Sequence, residues 1–274
     1  MNRVFSIVLV ATSLLLAAEL RADDDPQDES QARLAFMLAS ADEYQLRLEG
    51  SKRKVIRHAD PILRWDNQVV REDDAALFLW VCNGRPVCGA QLFLQGDHWH
   101  HEFQSLSSEP FSVAWRKDSQ WSWSCRRPGI SLAAADLDGP AQKPAQRLRQ
   151  MRSFAERFTA AVDPSRSGKW QDRHQLRLLT TPVYRYADSA EVLDGALFAF
   201  VQGTNPEVLL LIEAPQGESP GRWQYGFAPM TSFEAQVRRD DKIVWQQAVA
   251  PVPTRDIQGP YQFRWAVLPR NNPK

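Results

Sequence analysis

The chain has 274 residues, with 33 basic and 33 acidic side chains, 43% hydrophobic residues and ten tryptophans. Balanced charge supplies no overall field for a polyanion or an anionic membrane, which argues against a nucleic-acid partner. The length admits one large domain or two small ones with real cores.

At the N-terminus, Arg3 precedes an uncharged apolar stretch from Val4 to Ala18, and Leu20-Arg21-Ala22 ends on a small residue before Asp23-Asp24-Asp25. This order predicts a secretory signal peptide over 1–22, cleaved after Ala22, and export to the periplasm or beyond the cell. The apolar run is shorter than the roughly 20 residues of a spanning helix. No transmembrane segment is expected in the mature chain. Removing Arg3, Arg21 and Glu19 leaves a net charge of −1.

Pro26 suits a first helical turn with Asp25 as its cap, and Leu34, Met37 and Leu38 carry helical spacing to about Ser40. Tyr44, Leu46 and Leu48 then alternate as in a strand, with a turn at Gly50-Ser51. Val55 to Trp65 reads as a returning strand broken at Pro61, and a strong hairpin spans Ala75 to Leu94. A strand through Trp99 to Phe103 follows, then a pair at Phe111–Trp115 and Trp121–Trp123. Pro128, Gly129, Gly139, Pro140 and Pro144 mark a linker.

Beyond it, Leu148, Met151, Phe154 and Phe158 predict an amphipathic helix ringed by Arg147, Arg149, Arg152 and Arg157. Asp163 to Gly168 reads as a turn, Leu176 to Tyr186 as a strand interrupted at Pro182, and Ala196 to Ile212 as a second hairpin. The final strands centre on Tyr225, Val237 and Trp245. An extension through Tyr261, Phe263 and Trp265 has no counterpart earlier in the chain and is expected to close or cap a sheet.

The chain also matches itself. Ala76-Leu77-Phe78-Leu79-Trp80-Val81 returns as Ala196-Leu197-Phe198-Ala199-Phe200-Val201. In the same order Trp99 and Phe103 meet Trp223 and Phe227, while Phe111, Arg116, Asp118 and Trp123 meet Phe233, Arg238, Asp240 and Trp245. Self-similarity at a long period predicts two related structural units. The expected organisation is a signal peptide at 1–22, a first unit at 23–127, a linker at 128–144, and a second unit with an extension at 145–274. Each unit reads as one helix followed by an antiparallel meander. The expected class is therefore α+β, dominated by antiparallel β-sheet, with open edges of the two halves buried against each other.

Two strings, Val192 to Thr204 and His100 to Ser107, resemble those of a family of uncharacterised secreted bacterial proteins over nearly all of the mature chain. The resemblance implies export and supplies no activity, cofactor or partner.

Among candidate chemistry, Asp97-His98-Trp99-His100-His101-Glu102 stands out. On a strand, His98, His100 and Glu102 share one face and form a candidate set for zinc or another divalent transition metal, with hydrolysis as the reaction an open metal position would support. Against it, the matching positions Arg222, Gln224 and Gly226 carry no such set, and neighbours on one strand rarely supply three ligands. The expected alternative is a solvent-accessible, metal-free His face with Trp99 and Phe103 turned to the core. Cys82 and Cys88 flank a turn-rich loop and oppose each other for a disulfide only if all five intervening residues form that loop; Cys125 is the leftover thiol or the true partner. Trp115, Trp121 and Trp123 cluster and suit either sugar stacking or core packing, with packing favoured by the matches. No nucleophile elbow or phosphate loop occurs. The resulting expectation is an exported, non-enzymatic binding or structural module with a protein or glycan partner; the alternative is the metal-dependent enzyme or metal binder.

Overall fold

The computed structural model describes residues 26–67, 72–96, 98–187, 189–217 and 221–266. The expected signal peptide lies outside them. The order is α1 (Pro26–Asp42), β1 (Tyr44–Leu48), β2 (Val55–Arg57), β3 (Leu63–Asn67), β4 (Glu72–Cys82), β5 (Arg85–Gln95), β6 (His98–Ser105), β7 (Phe111–Trp115), β8 (Asp118–Cys125) and β9 (Ala133–Ala134). Then come α2 (Pro144–Ala155), β10 (Phe158–Asp163), β11 (His174–Leu178), β12 (Tyr184–Ala187), β13 (Val192–Gln202), β14 (Asn205–Pro215), β15 (Gln224–Pro229), β16 (Glu234–Arg239), β17 (Lys242–Gln247) and β18 (Tyr261–Ala266). The class is α+β with mostly antiparallel sheet.

One sheet runs β17-β16-β10-β11-β13-β14-β15-β9, with β12 also on β13. A second runs β18-β6-β5-β4-β2, with β3 also on β4, and a third is β1-β7-β8. The long hairpins β4–β5 and β13–β14 read as unbroken apolar runs because both faces are buried, so alternation has no polar side to display. On β4, Ala76, Phe78, Trp80 and Cys82 enter one core with α1, while Ala75, Leu77, Leu79 and Val81 enter another. The latter core also receives Leu197, Ala199, Val201, Leu209 and Leu211 from β13 and β14. The opposite faces of β13 and β14 pack on Met151 and Phe154 of α2. The two large sheets thus lie face to face, each with a helix on its outer side.

Both helices are tied to a strand by arginine and aspartate. Asp74 on β4 accepts from Arg64 of β3 (Nε–Oδ1 2.9 Å, Nη2–Oδ2 2.6 Å) and from Arg33 of α1 (3.2 Å). Asp194 on β13, fully buried, accepts from Arg185 of β12 (3.0 and 2.7 Å) and from Arg147 of α2 (2.7 Å).

Several expectations are corrected. Phe158 leaves the helix and opens β10, whose alternate residues Phe158, Ala160 and Val162 pack in the α2 core. Apolar spacing alone did not separate the last helical turn from the strand after it. The 128–144 segment is not only a linker, since β9 pairs with β15 (Ala133 with Tyr225, Ala134 with Gln224). The extension does cap a sheet, since β18 pairs along β6, from Tyr261 with Gln104 to Ala266 with Trp99. It is faces that meet across the middle of the molecule, while β9 and β18 cover the edges of β15 and β6. The loop of the β4–β5 hairpin is two residues, Asn83 and Gly84, both with positive φ (50° and 83°), as a type I′ turn demands.

Candidate functional site: a basic groove beside an open strand edge

A concavity of about 940 Å³ lies where the β18-β6-β5-β4-β2 sheet stops. On the α2 side, β10 pairs directly with β11 (Ala160 with Leu176, Val162 with His174). On the α1 side, β1 pairs with β7 and β2 with β4, but β1 and β2 are not joined. Gly50 to Lys54 turn the chain without closing a ladder, and a groove opens between the strands. Its floor is Trp80, Leu46 and Val55; its rim carries Arg47, Lys52, Arg53, Lys54 and Arg57.

These cations are not equivalent. Arg57 donates Nε to Asp42 Oδ1 (2.6 Å) and Nη1 to the His58 and Ala59 carbonyls (2.7 Å each), which closes one end of the groove. Arg53 is shared between Glu109 (2.7 Å) and Glu191 (2.6 Å), and the hydrogen bond to Glu109 chiefly raises its pKa. Arg47, Lys52 and Lys54 are exposed and point their charge at solvent. Asp42 is the one acidic residue of the lining, and it is already bound to Arg57.

A smaller recess of about 210 Å³ continues from Arg53 toward the sheet of β13 and β14, past Cys82, Arg85, Glu109, Glu191 and Glu213. There Glu213 accepts from Arg85 Nε (3.0 Å) and from the Tyr186 hydroxyl (2.6 Å). Burial works against the Arg85 charge, and Glu213, Tyr186 and Glu191 together more than offset it. Burial raises the Cys82 pKa, so this thiol is held in its unreactive protonated form.

His98, His100 and Glu102 do share one face of β6, but only its first residue is open to solvent. His98 is exposed, whereas His100 and Glu102 are 6% exposed at the seam between the large sheets. His100 stacks on Phe93 (ring centroids 4.9 Å apart) and lies against Phe263 and Trp265. Glu102 accepts from the Tyr261 hydroxyl at 2.5 Å, and burial pushes its pKa up to about 8. Among the described residues no three His, Cys, Asp or Glu side chains come together as a metal-holding group. The expectation of an open His face failed because Tyr261, Phe263 and Trp265 of β18 flank His100 and Glu102 and the other large sheet lies across the seam; the extension was expected to cap a sheet, but its sequence did not say which one.

On the opposite face His101 is buried too, with Nδ1 2.6 Å from the Tyr44 hydroxyl, and burial lowers its pKa to about 3. Trp115 and Trp121 enclose the Arg264 guanidinium at 3.8 and 4.7 Å from their ring centroids. A cation–π sandwich inside the protein, not a sugar platform, therefore occupies this cluster. The cysteines are free and buried: the ladder places Cys82 opposite Arg85 and Cys88 opposite Trp80, so the two-residue loop denies them a cross-strand pairing.

The groove itself was missed. Its signal was Lys52-Arg53-Lys54 straight after a Gly-Ser turn, which reads equally well as a solvated loop. No family model matches the chain, and neither a curated protein nor a solved structure is similar to it.

Proposed function

We propose that the protein is an exported, non-enzymatic binding module built from a duplicated β-rich unit, and that the basic groove between β1 and β2 is its binding surface. Export rests on the charged, apolar and small-residue order of the first 22 positions and on the resemblance to secreted bacterial proteins.

Duplication is supported by correspondence of order and register. The strands β8-β7-β1, then β2-β4-β5-β6-β18, follow the sequence of β17-β16-β10-β11-β13-β14-β15-β9. Both hairpins shift register at equivalent places, Trp80/Val81 and Phe200/Val201. The Arg33–Asp74–Arg64 and Arg147–Asp194–Arg185 clusters recur on equivalent elements. Strand pairing sets Phe111 against Leu48 and Ala235 against Val162, so Phe111 corresponds to Ala235, two positions from its match in the sequence.

The observation that carries the binding reading is the opening of one ladder, lined with cations, at the place where the other ladder is closed. A sheet that can close and does not leaves unpaired backbone groups beside a concave surface, as ligand sites do. Arg47→Glu, Lys52→Glu, Lys54→Glu tests it. Across a set of anionic and neutral ligands, wild type is expected to gain thermal stability with anions and the variant to lose that gain. Identical responses of the two proteins would remove the groove as the binding surface.

A further inference from the structure

We infer that the occupant of the groove is an extended acidic polypeptide segment that adds to β1 as a strand, with acidic and apolar side chains in alternation. This rests on the reading of the groove as a binding surface.

The backbone gives the first argument. Arg116 N–H donates to Glu43 C=O and Glu49 N–H to Pro110 C=O, each at 3.0 Å. These two bonds fix the phase of the β1–β7 ladder: residues 43, 45, 47 and 49 turn their polar backbone groups to β7. Tyr44, Leu46 and Leu48 therefore turn theirs to the groove, which all three line. On the other wall, His58 N–H donates to Leu79 C=O at 2.8 Å, so residues 56 and 58 address β4 while Val55 and Arg57 address the groove. Donors and acceptors alternate here at two-residue spacing. Another polypeptide in extended form matches that row; a phosphate ion cannot span it, and a glycan's hydroxyls do not repeat at the two-residue spacing.

Charge gives the second. Arg47, Lys52 and Lys54 are exposed at the rim, and the single acidic lining residue, Asp42, is held by Arg57. A basic or neutral strand would leave this rim uncompensated, and an acidic one complements it.

Side-chain direction gives the third. Along β1 the pattern is buried, exposed, buried, exposed, buried. A strand laid beside it inherits the same two faces. Its inward residues meet Leu46, Val55 and Trp80 and are apolar; its outward residues meet Arg47 and the lysines and are acidic. β1 is five residues long, which sets the minimum length of the segment.

The test uses the full chain and a capped peptide of sequence Glu-Val-Glu-Val-Glu-Val-Glu, with three controls: the same peptide N-methylated at alternate residues, a Lys-for-Glu version, and a sulfated oligosaccharide. The expected result is binding of the first alone, slowed amide exchange at Leu46 and Leu48, and about tenfold weaker binding to Arg47→Glu, Lys54→Glu. If the N-methylated peptide or the oligosaccharide binds as well, strand addition is overturned while the groove remains a binding surface. If no anionic probe binds and the charge reversals change nothing, both readings fall. Circular dichroism of the variant, whose substituted side chains are exposed, separates lost binding from lost folding.

Discussion

Neighbouring residues on β6 set the pH range of this fold. Glu102 faces the seam between the large sheets, where Tyr261 donates to it, Gln91 and Phe263 lie opposite in the ladders, and the carboxyl of Glu72 repels its charge. Glu207, buried across the seam, has its pKa raised chiefly by burial and further by Glu102 and Glu72. Glu102 rises from 4.5 to about 8, so its ionised form is disfavoured in the fold by about 5 kcal/mol. A carboxyl raised in this way contributes full stability below the unfolded value near 4.5 and loses it as pH climbs to about 8. His101, on the other face, falls from 6.5 to about 3, so its contribution is intact above 6.5 and lost as pH drops toward 3. These two groups together place maximum stability between about pH 4.5 and 6.5, and Glu207 and Glu72, both raised by burial, draw it toward the lower end. Glu102→Gln keeps the shape and the acceptor for Tyr261 and removes the ionisation. Denaturant unfolding of both proteins from pH 5 to 9 should give curves that diverge by about 4 kcal/mol over that range, with about 2.5 of it present by pH 7. Curves parallel within about 1 kcal/mol would refute the burial argument.

The remaining predictions concern packing and the acid limb. Asp194→Ala leaves Arg147, 5% exposed, without its carboxylate, and is expected to cost about 3–5 kcal/mol by urea unfolding; Asp74→Ala should cost less because Arg33 and Arg64 are each 29% exposed. Gly195 sits opposite Tyr186, and a Cβ there would lie 2.4 Å from the ring, so Gly195→Ala should lower stability by about 1–3 kcal/mol. An unchanged melting temperature would show that the ring moves aside freely. His101→Gln should flatten the loss of stability below pH 6.5, read by thermal melts from pH 3 to 7, and a slope equal to wild type would remove His101 from the acid limb.

What the sequence revealed and what it hid divide along local and non-local lines. The hairpins β4–β5 and β13–β14 were legible because long apolar runs around Asn83-Gly84 and Gly203-Thr204 carry their own instructions. The faces of β6 followed from alternation. Their burial did not, because it depends on β18, which follows β6 by more than 150 residues and whose Tyr261 and Phe263 cover Glu102 and His100. β10 was hidden behind Phe154 and Phe158, whose spacing of four suits a helix as well as a helix end and a strand start. The groove was illegible for a further reason: it exists where β1 and β2 fail to pair, and an absent pairing leaves no periodicity to read.

The placement of β9 and β18 has a consequence for the order in which the protein is made. The sheet containing β15 receives its edge strand from residues already synthesised, so it can close once β17 is complete. The sheet containing β6 waits for residues 261–266, the last strand described, and until then the edge of β6 is bare. An incomplete chain therefore presents an unpaired strand flanked by Trp99 and Phe103, a template for pairing with other chains. Such distant pairing also slows folding, since a long loop must close before the contact rewards it. The chain is in this sense finished by its end: the half made first is the half completed last.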